Sequence, residues 1–342
     1  MAWDLFCRVI DNFGDVGVCW RLACGLATRG IPVRLWIDDP TALGWMAPAG
    51  HAGVHVMAFD AAEQAEAGAV VVEAFGCDPP PGFVARMARR AATPVWINLE
   101  YLSAEAYVEG SHGLQSPQLS GPGAGLSKWF FYPGFTPGTG GLLRGAPAPE
   151  DRATWLAAHG WAARGQERVV LLFCYDNPQL PALLDSLAQR PTLMLAAQGA
   201  AQRGLAKLTQ PSHVRTIALP WLPQAQFDQL LHCTDLNLVR GEDSLAQAQW
   251  PGLPFVWQIY PQADGAHAAK LDAFLDRFIA RTNFADATAL RALWRAWNGL
   301  GPWPAALPAA PAWRQATQAW RDSLCSEPDL IEQLLHFAAQ RP

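Results

Sequence analysis

Residues 6–20 read FCRVIDNFGDVGVCW. A buried apolar strand runs into two aspartates, Asp11 and Asp15, on a glycine-containing turn, and an amphipathic helix starts at once. In open α/β sheets the ligand lies beyond the carboxyl ends of the strands, so these acids stand where a ligand is expected. The turn itself reads Asp11-Asn12-Phe13-Gly14-Asp15-Val16-Gly17. Its glycines lack the G-x-G-x-x-G spacing of a dinucleotide site, and carboxylates occupy the place of a pyrophosphate. An aspartate at a helix start can cap the first-turn amides. Capping accounts for one of the two acids and leaves the pair unexplained, whereas a carboxylate in a cleft can serve as a general base.

The same alternation continues outward from this turn. WDLFCRVI (3–10) and IPVRLWI (31–37) read as strands around the helix VCWRLACGLATRG (18–30), which Gly30 stops. GVHVMAF (53–59), AVVVEAF (69–75) and PVWINLEYL (94–102) read as further strands, with the helix GFVARMARRAA (82–92) before the last. A second alternation begins near Arg168. Its strands are RVVLLFCY, PTLMLAAQ, VRTIAL, LNLVRG and PFVWQIY, with PALLDSLAQ, AAQRGLAKLT, QAQFDQLLHCT and DSLAQAQWPG as helices. Strands alternating with helices imply parallel sheets, so the expected fold class is α/β with two doubly wound, Rossmann-like halves. From Ser103 to about Pro149 glycine, proline and serine dominate, and no regular element is expected there. The aromatics Trp129, Phe130, Phe131 and Tyr132 within it are expected to pin that loop to the first domain.

Composition narrows the function. A chain of 342 residues favours two domains, and 51% hydrophobic with 16% charged residues supports sizeable cores. A net charge of −5 gives no reason to expect nucleic acid or an anionic membrane as partner. The opening MAWDLFCRVID lacks a basic n-region, so no signal peptide is expected, and no apolar run reaches the length of a membrane span. The seven cysteines are scattered, without a CxxC pair, and most lie in apolar runs, which predicts free thiols in a reducing cytoplasm. No HExxH motif is present and no metal site is expected.

A second motif, LVRGEDSLAQAQWPGLPFVWQIYPQ (238–262), places Glu242, Asp243 and Ser244 at the start of a helix directly after a strand ending at Arg240. A helix amino end binds phosphate, and here Ser244 adds a hydroxyl and Arg240 a permanent positive charge. Glu242 and Asp243 are wrong for an anion but suit ribose or sugar hydroxyls. Capping by Ser244 or Asp243 is the plainer alternative. Acids beside a phosphate-competent helix suit a nucleotide sugar better than a bare nucleotide. Phe173 and Tyr175 share one face of a strand end in LLFCYDN, and Gln224 and Phe227 stand at a helix start in WLPQAQFDQLL. Such aromatics can sandwich a flat base, although core packing is the commoner reason for them.

FCRVIDNFGDVGVCWRLA (6–23) together with RGEDSLAQAQWPGLPFVWQIYPQ (240–262) resembles the EarP family of bacterial protein-arginine rhamnosyltransferases, over nearly the whole chain. The resemblance implies a GT-B architecture, with two doubly wound domains facing a central cleft. It places an acceptor-binding domain at 1–160, a nucleotide-sugar domain at 161–325, and a C-terminal helix at 326–342 that returns to the first. It implies an inverting, metal-independent and cofactor-free transfer of rhamnose from dTDP-β-L-rhamnose to an arginine of translation elongation factor P. By the same resemblance Asp15 is the catalytic base and Asp11 orients the acceptor arginine. Glu242, Asp243 and Ser244, beside Arg240, hold ribose and pyrophosphate. Phe173 and Phe227 flank the thymine, Gln224 reads the base edge, and Tyr175 lies close by. Gln258 stands where the family's VWHIYPQ has histidine, which leaves position 258 without an assigned role. The motifs alone also admit a GT-B transferase with a different acceptor, or a non-catalytic nucleotide-sugar binder. The latter leaves the acids of the first turn without a purpose.

Overall fold

A computed structural model describes residues 2–9, 13–262 and 265–341; Asp11 lies outside the described residues. The chain forms two compact units, Met1–Arg144 with Glu327–Pro342, and Gly145–Ser326.

In the first unit the strands are β1 (Trp3–Cys7), β2 (Val33–Ile37), β3 (Val54–Ala58), β4 (Val70–Ala74), β5 (Val95–Leu99), β6 (Gln115–Pro117) and β7 (Ser127–Phe131). They pair in the order β3-β2-β1-β4-β5-β7-β6, parallel except for β6 against β7. Successive side chains on a strand alternate between faces. Leu5, Leu35, Val72 and Ile97 accordingly join one core with Val16, Cys19 and Leu22 of the helix Gly14–Thr28. Phe6, Trp36, Val71 and Trp96 join a second core with Phe59, Phe83 and Met87. A sheet covered on both faces needs strands that are apolar throughout, which is why runs such as VVV and VWI appear instead of an alternating pattern.

The last helix, Leu330–Ala339, puts Leu330, Leu334 and Phe337 into the first of these cores. Asp329 starts it. One of its oxygens accepts from the Glu332 amide at 2.8 Å, and the other pairs with Arg29 at 2.9 Å. The segment expected to be irregular carries the helix Tyr107–Ser111 and strands β6 and β7. Trp129, Phe130 and Phe131 are strand residues: β7 lies parallel to β5, and Phe131 is buried against Phe337 with ring centres 5.2 Å apart.

The second unit holds β8 (Arg168–Leu172), β9 (Thr192–Ala196), β10 (Val214–Ala218), β11 (Leu236–Arg240) and β12 (Phe255–Gln258), all parallel, in the order β10-β9-β8-β11-β12. Its aromatic core stacks Phe274 on Trp294 at 5.4 Å and sets Phe255 and Trp320 edge-on to Phe274. The boundary falls at 144/145 and not at 160/161. Residues 145–160 belong to the second unit because Arg152 grips Asp235 with two bonds of 2.8 Å and the Trp155 indole donates to Gln229 at 3.2 Å. Among the described residues no helix is long and apolar enough to cross a membrane.

Phe337 is the ring that ties the last helix to β7 and to His112. Phe337→Ala should lower stability by about 3–5 kcal/mol, as expected when a buried aromatic is truncated. Urea unfolding checks this, and an unchanged midpoint would mean that the helix contributes no packing to the first unit.

Candidate functional site

Strand order reverses at β1/β4 in the first sheet and at β8/β11 in the second. Crossovers leave such a pair in opposite directions, so a crevice opens beyond their carboxyl ends. The residues singled out in the sequence that the structure describes gather at these two places.

At β1/β4, Asp15 sits in the first turn of the helix Gly14–Thr28 and is only 4% exposed. The residue at the capping position is Phe13, which offers no side-chain acceptor. Asp15 is therefore a buried acid in the first turn of the helix, close to the positive end of the helix dipole. Beyond β4 the chain turns sharply. Phe75 has φ of +59°, unusual for an aromatic residue, and its ring stacks on Tyr101 at 4.4 Å. Arg8, Phe75, Gly76 and Asp78 line a cavity of about 310 Å³ there. Within β4, burial pushes the Glu73 carboxyl up to about 7, although Lys128 lies 2.5 Å away and the Trp96 indole donates to it at 3.0 Å.

At β8/β11 the geometry is denser. β8 ends at Leu172, so Phe173 and Tyr175 lie just past the strand and not on it. Both rings still face one group: the Arg240 guanidinium carbon is 4.7 Å from the centre of Phe173 and 4.5 Å from that of Tyr175. A guanidinium held by two aromatic faces has few orientations left. Phe173 also meets Phe227 edge to face at 5.2 Å, so these two rings touch and leave no slot between them. Tyr175 meets the exposed Tyr260 at 5.6 Å. Cys174, between the two aromatics, is buried, and burial pushes its thiol up to about 12, which keeps it protonated.

The helix Gly241–Gln249 starts directly after β11. Gly241 has φ of +66°, which lets the chain turn from strand to helix in one residue, and the Trp257 indole donates to its carbonyl at 2.8 Å. Ser244 is buried, and its hydroxyl accepts from the Arg240 amide at 3.1 Å and donates to the Arg240 carbonyl. In this structure its side chain thus fastens the strand–helix junction, while the capping position itself is held by Arg240 and neither by Ser244 nor by Asp243. Gln224 donates to Asp243 at 3.4 Å, and Lys270, from the helix Ala266–Thr282, pairs with Glu242 at 2.6 Å. Gln258, without a role in the sequence, accepts the Tyr175 amide on its side-chain oxygen at 2.9 Å and so fixes the Tyr175 loop. Neither Lys270 nor Gln258 could be found from local motifs, since their partners lie far away along the chain.

Three comparisons bear on this arrangement. Residues 3–339 match the family model described as Elongation-Factor P (EF-P) rhamnosyltransferase EarP. The protein-arginine rhamnosyltransferase of Pseudomonas aeruginosa is 40% identical over 99% of both chains, and that of Neisseria meningitidis serogroup B is 34% identical over 99% of this chain and 97% of its own. The chain belongs to the EarP family. A solved structure from work on EarP-mediated arginine glycosylation of elongation factor EF-P covers all of this chain with a TM-score of 0.64 at 29% identity. The glycosyltransferase SnogD from Streptomyces nogalater shares the fold at a TM-score of 0.55 and 14% identity. This EarP family member is a glycosyltransferase of GT-B fold.

Gln258→Met keeps the bulk but removes the acceptor of the Tyr175 amide. A buried donor left without a partner costs about 1–3 kcal/mol. Thermal unfolding should show that loss, and Gln258→His, which restores a ring-nitrogen acceptor, should recover most of it. Equal stability of the methionine variant and the wild type would show that the bond contributes nothing.

Proposed function

We propose that this protein transfers rhamnose from dTDP-β-L-rhamnose to an arginine side chain of translation elongation factor P, with inversion at the anomeric carbon. The observation that carries the reading is family membership across residues 3–339, which spans both switch-point sites. A cytoplasmic setting fits an acceptor that is a translation factor and fits the seven free thiols.

On this reading the second unit binds the donor. The amide end of the helix Gly241–Gln249 faces the diphosphate, where the helix dipole stabilises the charge that builds on the leaving group. Arg240, immobilised by Phe173 and Tyr175, supplies a fixed positive charge. Glu242 and Asp243 accept hydrogen bonds from the deoxyribose 3′-hydroxyl and the rhamnose hydroxyls, and Gln224, held beside Asp243, reads the base edge. Phe173 and Phe227 are each half-buried, which leaves part of each ring for contact with the thymine.

The first unit binds the acceptor. An arginine is a poor nucleophile because its guanidinium stays protonated in water. Two carboxylates can align it by charge-assisted bonds, and one can take the proton as the carbon–nitrogen bond forms. Asp15 is our base, because it is buried at a helix start beyond the switch strand β1. Asp11 orients the guanidinium. Inversion follows from a single displacement in which the nitrogen attacks the anomeric carbon as the diphosphate leaves.

The test separates base from scaffold. Asp15→Asn preserves shape and removes proton acceptance, and losing a general base costs about 10²–10⁴-fold in rate. Turnover on elongation factor P should fall by that factor while calorimetry shows unchanged affinity for dTDP-rhamnose. Near-normal turnover would remove Asp15 as the base.

A further inference from the structure

Two acids at the mouth of an anion site pose an electrostatic problem. Glu242 and Asp243 open the helix Gly241–Gln249, the same helix whose amino end is suited to a diphosphate. Carboxylates so close to phosphate oxygens repel them, and the repulsion is strong where water is partly excluded. Lys270 answers it. Its ammonium lies 2.6 Å from a Glu242 oxygen, and the two side chains are only 19% and 22% exposed, so bulk salt screens them weakly. The lysine reaches across from the helix Ala266–Thr282, twenty-eight positions along the chain from its partner.

We propose that Lys270 is a positioning residue of the donor site. It neutralises Glu242, so that this carboxylate can accept from the deoxyribose hydroxyl without repelling the neighbouring diphosphate. The inference rests on the donor reading given above. Removing one partner of a largely buried ion pair also costs stability, so each variant is first shown to be folded by its thermal melt.

The experiment is calorimetric titration of dTDP and of thymidine into the full-length wild type, Lys270→Met and Lys270→Arg. With the Lys270 charge removed, Lys270→Met should bind dTDP about 10- to 100-fold more weakly, the loss expected for a charge-assisted contact. Thymidine carries no phosphate and should bind almost as before. Lys270→Arg keeps the charge and should restore dTDP affinity. In a Glu242→Gln background, Lys270→Met should weaken dTDP little further, since no charge is left to neutralise. Equal losses for dTDP and thymidine, or an undiminished penalty in the Glu242→Gln background, would overturn the inference, as would unchanged dTDP binding by Lys270→Met. A wild type that binds no dTDP would instead sink the donor reading, and this inference with it.

Discussion

A parallel strand reaches its parallel neighbour only by a crossover over one face of the sheet, and this constraint shapes both halves of the molecule. Where the direction of crossovers reverses, the loops that leave two adjacent strands diverge and open a crevice. In the second unit the diverging loops are those after β8 and β11. The first carries Phe173 and Tyr175, and the second carries Arg240 into the helix Gly241–Gln249. The crevice follows from topology, and its chemistry follows from which residues fill the first few positions past each strand.

Those positions are held rigidly. Arg240 is fixed on its guanidinium by two aromatic faces and on its backbone by the Ser244 hydroxyl. Gly241 is tied to Trp257, and Tyr175 to Gln258, so strand β12 supports both loops from the side. On the proposed reading this rigidity serves a site that stabilises charge on a departing diphosphate, because donors fixed beforehand do not reorganise during the reaction. The first unit has a comparable frame. Its strained Phe75 turn and the buried Asp15 both lie past strands β4 and β1, and a residue held at positive φ marks a place where the surrounding structure overrides local preference.

Much of this was legible in the sequence, for reasons that differ from one element to another. The apolar runs of β1, β4, β5, β8 and β9 announce strands buried on both faces, and the interleaved helical patterns announce parallel pairing. β7 was not legible. SKWFF is short, sits among glycines and prolines, and becomes a strand because β5 offers it an unpaired edge. The boundary at 144/145 was hidden for a similar reason, since Arg152 finds Asp235 only in three dimensions. In the site, local motifs placed Arg240, Glu242, Asp243 and Ser244 at one helix start. They offered Ser244 either to the ligand or to the helix start, and its hydroxyl is engaged with the backbone of Arg240. They missed Lys270 and Gln258, because a contact between distant positions leaves no spacing to read.

The central claim is a chemical event on another protein, and mass spectrometry of elongation factor P after incubation with this protein and dTDP-β-L-rhamnose tests it most directly. The account predicts a gain of one deoxyhexose, localised by fragmentation to a single arginine and absent when the donor is omitted. Elongation factor P that stays unmodified in the presence of folded, dTDP-binding protein, or a sugar found on a different kind of side chain, would contradict it.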